Sequence, residues 1–442
     1  MADTTTTTES TAPGRDVPAE DLRQEHAVDH AAEAPAPVTL DSSATPGPGG
    51  DVQHGLAAHS HGAGVPAQSR AERRTSFSPA DFPEVTGREE DWRFTPVDRI
   101  GPLLTEGFAD ADAVLVEVQA PDGVRHRRVP REDDAVGTAF VPGDRAAAVA
   151  WAGTTLADVV EIPAQTELAE PVRVRLHGQD AGRRGHGHLV VDAGPFSAAT
   201  VLIDHDGSAR WSGNVEIRVG DGARLTVVTV QQWDDDAVHL AQHDALVGRD
   251  ARFTHVAVTL GGAVVRMNAN VRYAGPGGDA TLLGVYFADA GQHLEHRSFV
   301  DHGPAHCRSN VVYKGALQGD TAHTVWVGDV LIRAEAEGTE TYELNRNLVL
   351  TDGARADSVP NLEIETGEIV GAGHASATGR FDDEQLFYLQ ARGIPEDEAR
   401  RLVVRGFFAD VVQRIGLPEV VDRLMAAIDD ELAGSVQSGS RR

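Results

Sequence analysis

A stacked β-solenoid followed by a helical appendage is the fold the sequence predicts, and three observations predict it. Between about 186 and 370, short β-branched runs recur, each bounded by Gly or Asp. A polar turn ending in Ala precedes several of them: Gly220-Asp221-Gly222-Ala223, Gly248-Arg249-Asp250-Ala251, Gly277-Gly278-Asp279-Ala280 and Thr351-Asp352-Gly353-Ala354, the first three spaced by 28 and 29 residues. No helical pattern intervenes, and one begins after Gly379. A coil that cannot bury its apolar face alone must stack on copies of itself, which gives a period of this length, with Ala and Gly at the inward corners. A β-sandwich or barrel also uses many short strands but does not naturally yield the turn-Ala repeat.

The elements follow in order. Residues 1–72 are rich in Thr, Ala, Pro, Gly and His without apolar periodicity, so a disordered tail is expected. His54, His59 and His61 there read as solvated, with adventitious metal binding as the alternative. Residues 73–185 form a mixed helical and strand region. Within it, Gly87-Arg88-Glu89-Glu90-Asp91-Trp92-Arg93-Phe94-Thr95-Pro96 reads as a short helix or turn anchored by two aromatics. Stretches 113–118, 155–163 and 172–176 read as strands, and the Ala-rich stretch 144–152 is ambiguous. The solenoid core is placed at 186–379, with strands such as 200–203, 215–219, 225–230, 253–258, 282–286, 311–313 and 348–350. Residues 380–442 are helical. Asp382-Asp383-Glu384 sets negative charge at the positive end of a first helix. Gly393 stops it, Pro395 opens a second helix, Gly416 stops that one, and Pro418 opens a third over 420–432.

Composition excludes several functions. The 442 residues carry a net charge of −29, with pI near 4.9, which argues against nucleic acid or an anionic membrane surface as partner. No apolar run approaches the roughly 18 residues a membrane helix requires. The start, Met1-Ala2-Asp3 and five Thr, lacks the basic and apolar segments of a secretory signal, so a cytoplasmic location is expected. Cys307 is the only cysteine. A disulfide scaffold, or a Cys-rich zinc or cluster site built by this chain alone, is therefore excluded. There is no GxxxxGK[ST], no GxGxxG at a strand-to-helix junction and no GxSxG, hence no evident ATPase, dinucleotide enzyme or serine esterase. A parallel β-helix could serve a carbohydrate-active enzyme, which would need an acidic pair or a calcium site on one face. The acidic run Asp234-Asp235-Asp236 reads instead as a solvated loop.

Histidine supplies the remaining candidates. His186 and His188 share a strand face, and His293, His296, His302 and His306 lie near Cys307, but neither spacing fits a compact zinc motif. They read as strand or turn residues, with Cys307 a structural thiol. His374 is different. It sits in Val370-Gly371-Ala372-Gly373-His374-Ala375-Ser376-Ala377-Thr378-Gly379, among side chains too small to cover it, so another backbone or a cofactor can approach the imidazole closely. No nucleophile, paired carboxylate or second ligand is close in sequence. Half of a site, completed by another chain, is the expectation, and an enzyme is not.

Three groups of residues resemble a known family. They are the 87–96 motif; His302, Ser309 and Tyr313-Lys314-Gly315; and Pro360-Asn361-Leu362-Glu363-Ile364 with Gly373-His374 and Asp382-Asp383-Glu384-Gln385-Leu386-Phe387-Tyr388-Leu389-Gln390-Ala391-Arg392-Gly393-Ile394. Over about 75–435 the chain resembles SufD, the non-ATPase subunit of the SUF iron–sulfur cluster assembly complex. The resemblance implies a right-handed parallel β-helix core with helical N- and C-terminal parts. It implies pairing with the paralogous SufB subunit and docking of the SufC ABC ATPase on the C-terminal helices, with Glu384, Phe387 and Tyr388 positioning that contact. ATP hydrolysis by SufC would then open the shared interface. It further implies that His374 joins a SufB cysteine in holding a transient, nascent iron–sulfur cluster. Family members often carry a Cys two residues before this His; Ala372 stands there, so a thiol ligand from this chain is not expected. A SufB-like paralogue is the nearest alternative, but it should carry thiolates able to accept sulfur, and this chain has one Cys.

Overall fold

Second-neighbour strand pairing organises the molecule. The computed structural model describes residues 73–107, 109–381 and 383–439; the tail expected over 1–72, with His54, His59 and His61, lies outside them. The described strands are β1 (Val114–Gln119), β2 (Arg125–Pro130), β3 (Leu156–Ile162), β4 (Val172–Ala193), β5 (Ala198–Val219), β6 (Arg224–Trp233), β7 (Val238–Val247) and β8 (Arg252–Thr259), followed by β9 (Val264–Tyr273), β10 (Asp279–Ala288), β11 (His293–His302), β12 (Arg308–Leu317), β13 (His323–Ile332), β14 (Glu340–Val349), β15 (Arg355–Ile364) and β16 (Gly371–Arg380). One face runs β5-β6-β8-β10-β12-β14-β16 and the other β5-β7-β9-β11-β13-β15, with every one of these pairs parallel. Consecutive strands thus alternate faces, which is the winding of a parallel β-solenoid of about 8 turns. β4 and β5 each bend across both faces and pair along their lengths. β1 joins β4 and β2 joins β3 antiparallel, ahead of the first coils.

The repeated turns work as their residues predict. Ala223, Ala251 and Ala280 are fully buried at inward corners. The residue before the Ala is left-handed at Gly222 (φ 65°), Asp250 (φ 52°) and Gly353 (φ 86°), a conformation that Gly, and less readily Asp, adopts.

Both outer faces are covered, which explains why strands such as β10 read as unbroken apolar runs rather than as alternation. Over the β6-β8-β10 face lie α4 (Glu396–Val412) and α5 (Pro418–Gly439), preceded by α3 (Asp383–Ala391). Leu283, Val285 and Phe287 of β10 meet Val404, Phe408, Val411, Leu424 and Ile428 of the two helices in one apolar cluster. Lys314 on β12 donates to the Phe407 carbonyl at 2.8 Å and pairs with Asp410, fastening α4 to the sheet.

The N-terminal segment covers the other face. It includes the single turn α1 (Val97–Ile100) and α2 (Arg145–Gly153). The Ala-rich stretch left ambiguous by sequence is therefore helix. Asp144 caps it by accepting the Ala147 amide at 2.9 Å, a common N-cap arrangement. The 87–96 motif is a clasp. Trp92 lies under the Arg266 guanidinium at 4.0 Å, Thr95 donates to Glu295 at 2.7 Å, and Asp91 accepts from Arg297 at 3.0 Å. Burial alone would raise the Glu295 carboxyl. His293 and the Arg266 and Arg297 charges outweigh that and hold it well below the usual range. Glu216 on β5 plays the same part for residues 137–139, accepting three backbone amides at 2.7–2.8 Å.

Candidate functional site at the open end of the solenoid

A solenoid must end, and this one ends on an uncapped coil. β16 pairs only with β14, and β15 only with β13, among the described residues. Their outer edges present unpaired backbone groups, a ready template for a further chain. Val370 (71% exposed), Ile364 and Tyr342 add exposed apolar surface beside them. β16 itself is built from Gly, Ala, Ser and Thr around one imidazole, with Arg380 at its end.

His374 lies on β16 and is exposed. Ala372, two residues earlier, packs on the interior cluster. Alternation along a strand therefore puts His374 on the lumen side. It is exposed because no later coil covers it. In the β14–β16 register, Thr341 stands opposite Ala372, Glu343 opposite His374, Asn345 opposite Ser376 and Asn347 opposite Thr378. The lumen rows at this end are thus polar. Tyr286 donates to Asn347 (2.8 Å), Asn345 donates to Tyr286 (2.9 Å), and Ser358 donates to Asn345.

Glu343 stands apart. It is 1% exposed, and neither carboxylate oxygen has a hydrogen-bond partner. Burial, with the nearby Asp329 charge, pushes its carboxyl up to about 8. Sequence reading missed it. The available signal was the parity of Thr341, Glu343, Asn345 and Asn347 with Val349, which places a Glu in an inward row.

The polar lumen extends into the solenoid. His243 and His255 are linked at 3.0 Å, His296 and the Thr259 hydroxyl at 2.9 Å, and His205 and His239 have ring centroids 4.9 Å apart. Desolvation depresses all five: His205 and His255 to about 4, His296 to about 3, and His239 and His243 well below the ordinary value. They are neutral structural imidazoles at neutral pH.

The other candidates separate. His293 faces outward to Glu295 (3.2 Å) while His302 faces inward to Ser309 (2.9 Å), and Cys307 is buried at a corner. His186 and His188 share the outer face of β4 as alternation requires, but they lie under the N-terminal segment rather than in solvent. A Cβ on Gly153 of α2 would strike the His186 ring, and His188 contacts Glu216 at 3.2 Å and the Trp151 ring edge-on. Among the described residues, no three His, Cys, Asp or Glu side chains converge to hold a metal ion. On α3, Glu384 is exposed, as are Phe387 (72%) and Tyr388 (56%). Arg392 donates to the Tyr388 hydroxyl at 2.7 Å. No described helix is long and apolar enough to cross a membrane.

The wound parallel core thus leaves one exposed imidazole, His374, on its final strand. The family described as "SUF system FeS cluster assembly, SufBD core domain" matches residues 175–407. An iron–sulfur cluster assembly SufBD family protein of Mycobacterium bovis is 55% identical over 372 residues, covering 83% of this chain and 94% of that protein. One from Mycobacterium leprae is 53% identical over 377 residues, covering 84% and 96%. The iron–sulfur cluster assembly protein SufD of Escherichia coli is 27% identical over 279 residues, covering 62% and 65%. The chain belongs to the SufBD family of iron–sulfur cluster assembly proteins.

Proposed function

We propose that this chain is the SufD-type scaffold subunit of a cytoplasmic cluster-assembly complex, with no catalytic activity of its own. One observation carries the reading: the single accessible imidazole of the lumen rows, His374, sits on the last unpaired strand of an uncapped solenoid. A paralogous SufB-like chain docks along the β15 and β16 edges by strand addition. A thiolate from that chain and the His374 imidazole together hold the nascent cluster, which is cargo. A SufC-like ATPase docks on α3, where Phe387 and Tyr388 supply the exposed aromatic surface and Glu384 an acidic neighbour. Its ATP hydrolysis drives the rearrangement that opens the interface. The alternative SufB-like role is disfavoured by the chemistry of a chain whose one thiol, Cys307, is buried, with desolvation pushing it above the ordinary thiol range.

The test is co-expression with the SufB- and SufC-like chains, comparing wild type with His374→Ala. Cluster content is expected to fall sharply while all three chains still co-purify. Unchanged content removes the ligand role. Failure of the chain to retain a paralogue and an ATPase removes the scaffold role.

A further inference from the structure

The buried carboxylates among the described residues are satisfied with one exception. Glu216 collects three amides and the Thr138 hydroxyl. Glu295 has Arg266, Arg297, His293 and Thr95. Asp144 has Arg266, Asn268 and the Ala147 amide. Asp244 has Asn270, Gln242 and the Val141 amide. Only Glu343, among the described residues, keeps both oxygens buried and unpaired. Such a group is a standing liability unless something outside the folded chain completes it.

Its position says what does. Glu343 lies one strand inside His374, opposite it in the parallel register and on the same lumen side. Strands so paired run about 4.8 Å apart, so the carboxylate and the imidazole arise on adjacent rungs of one row. The space Glu343 occupies is cut for it. A Cβ on Gly328 of β13 would come within 2.8 Å of its Oε1 and would collide with the Trp326 ring, so glycine there keeps room for both side chains. Beyond His374 no further coil of this chain follows in the described structure. An oxygen donor and a nitrogen donor thus head the open end of the lumen, and among the described residues no third His, Cys, Asp or Glu joins them.

We infer that Glu343 is a second iron-binding donor of this half-site, turning toward the open end to supply a carboxylate oxygen beside the His374 imidazole when iron arrives with the docking chain. The inference rests on the proposed role of His374. A hard oxygen and a borderline nitrogen suit ferrous iron before sulfide is added. The proton carried by the buried carboxyl leaves to solvent as the metal takes its place.

The test uses the complex of this chain with its paralogous partner, kept anaerobic, and measures Fe(II) binding by equilibrium dialysis with iron X-ray absorption as a second readout. Glu343→Gln keeps the shape of the side chain; Glu343→Leu removes the buried acid. Both variants of the isolated chain are expected to melt no lower than wild type, because the lost group had no partner there. In the complex, both are expected to bind Fe(II) more weakly by about tenfold or more, with one light scatterer fewer at the iron and partner retention unchanged. Wild-type affinity in Glu343→Gln alongside weakened affinity in His374→Ala would overturn the Glu343 assignment and leave His374 standing. Wild-type affinity in both would sink the His374 reading itself. Lower melting and loss of the partner in Glu343→Gln would make Glu343 a packing or docking residue, and the inference would fall.

Discussion

Replacing Phe408 with Ala tests whether the C-terminal helices are seated on the solenoid as a module that can be unlatched. Phe408 is fully buried in the apolar cluster that α4 and α5 share with the sheet, together with Val256, Val285, Phe287 and Leu424. Truncating a buried Phe to Ala costs about 3–5 kcal/mol. The coils of the solenoid are held by their own interior cluster and parallel ladders, so the cost falls first on the opening of α3–α5. At about 1.4 kcal/mol per factor of ten, the opening constant should rise by about two to nearly four orders of magnitude. Hydrogen exchange read by mass spectrometry measures this directly. Amides in 396–439 should exchange faster by that factor, while those of β11 and β13 keep their wild-type protection. Capture of the proposed ATPase partner should fall even though Phe387 and Tyr388 are untouched, because α3 packs on α4. Equal acceleration in β11 and β13 would refute the reasoning, since helices and solenoid would then open as one unit. No acceleration anywhere would show that the seat lies elsewhere, with Lys314 the next place to look.

Two further outcomes follow from the buried carboxylates. Burial alone would raise the Glu216 carboxyl; hydrogen bonds from His188 and the Ala139 and Gly137 amides outweigh it and hold the group at about 2 against 4.5 unperturbed. A depressed carboxyl contributes stability that is present above the unfolded value and lost as the pH falls through the folded one. About 3 kcal/mol should therefore disappear between pH 5 and pH 2, and urea titrations of wild type and Glu216→Gln should converge across that window. Arg266→Met removes the cation shared by Asp144 and Glu295 at 2.6 and 3.3 Å, leaving the Asp144 charge buried beside α2 and Glu295 dependent on Arg297. A loss of about 3–5 kcal/mol is expected, read as a lower denaturation midpoint together with proteolytic release of the segment around Trp92.

The sequence carried the coils and hid the lumen, for reasons that particular residues make plain. Coil length was legible because each corner repeats the same demand, a left-handed turn residue followed by a small buried one, as at Gly222-Ala223 and Asp250-Ala251. Helices after Gly379 were legible from Pro395, Gly416 and Pro418. The helix at 145–153 was not, because Ala and Val occur in both kinds of element and only Asp144, engaged by Arg266 from a distant coil, settles it. The Asp91-Trp92 motif stood out in sequence, but its reason is a clasp over Arg266 and Arg297, residues 175 or more positions away.

The lumen defeated reading for a different reason. His239, His243, His255 and His296 look like surface residues in any single strand, and only the parity of the coil turns them inward. Period-two alternation assigns faces but cannot say which face is interior when both are covered, as on β10, where Leu283 lies beneath helices and Leu282 inside the coil. A solenoid also repeats by translation, so residue type and local pattern do not fix a role; the rung does. An imidazole in the middle of the stack, such as His255, is desolvated, neutral and closed off. The same side chain one rung past the last covering coil is His374, open to whatever docks there. Whether an imidazole of this solenoid is enclosed or open is therefore set by where the stacking stops.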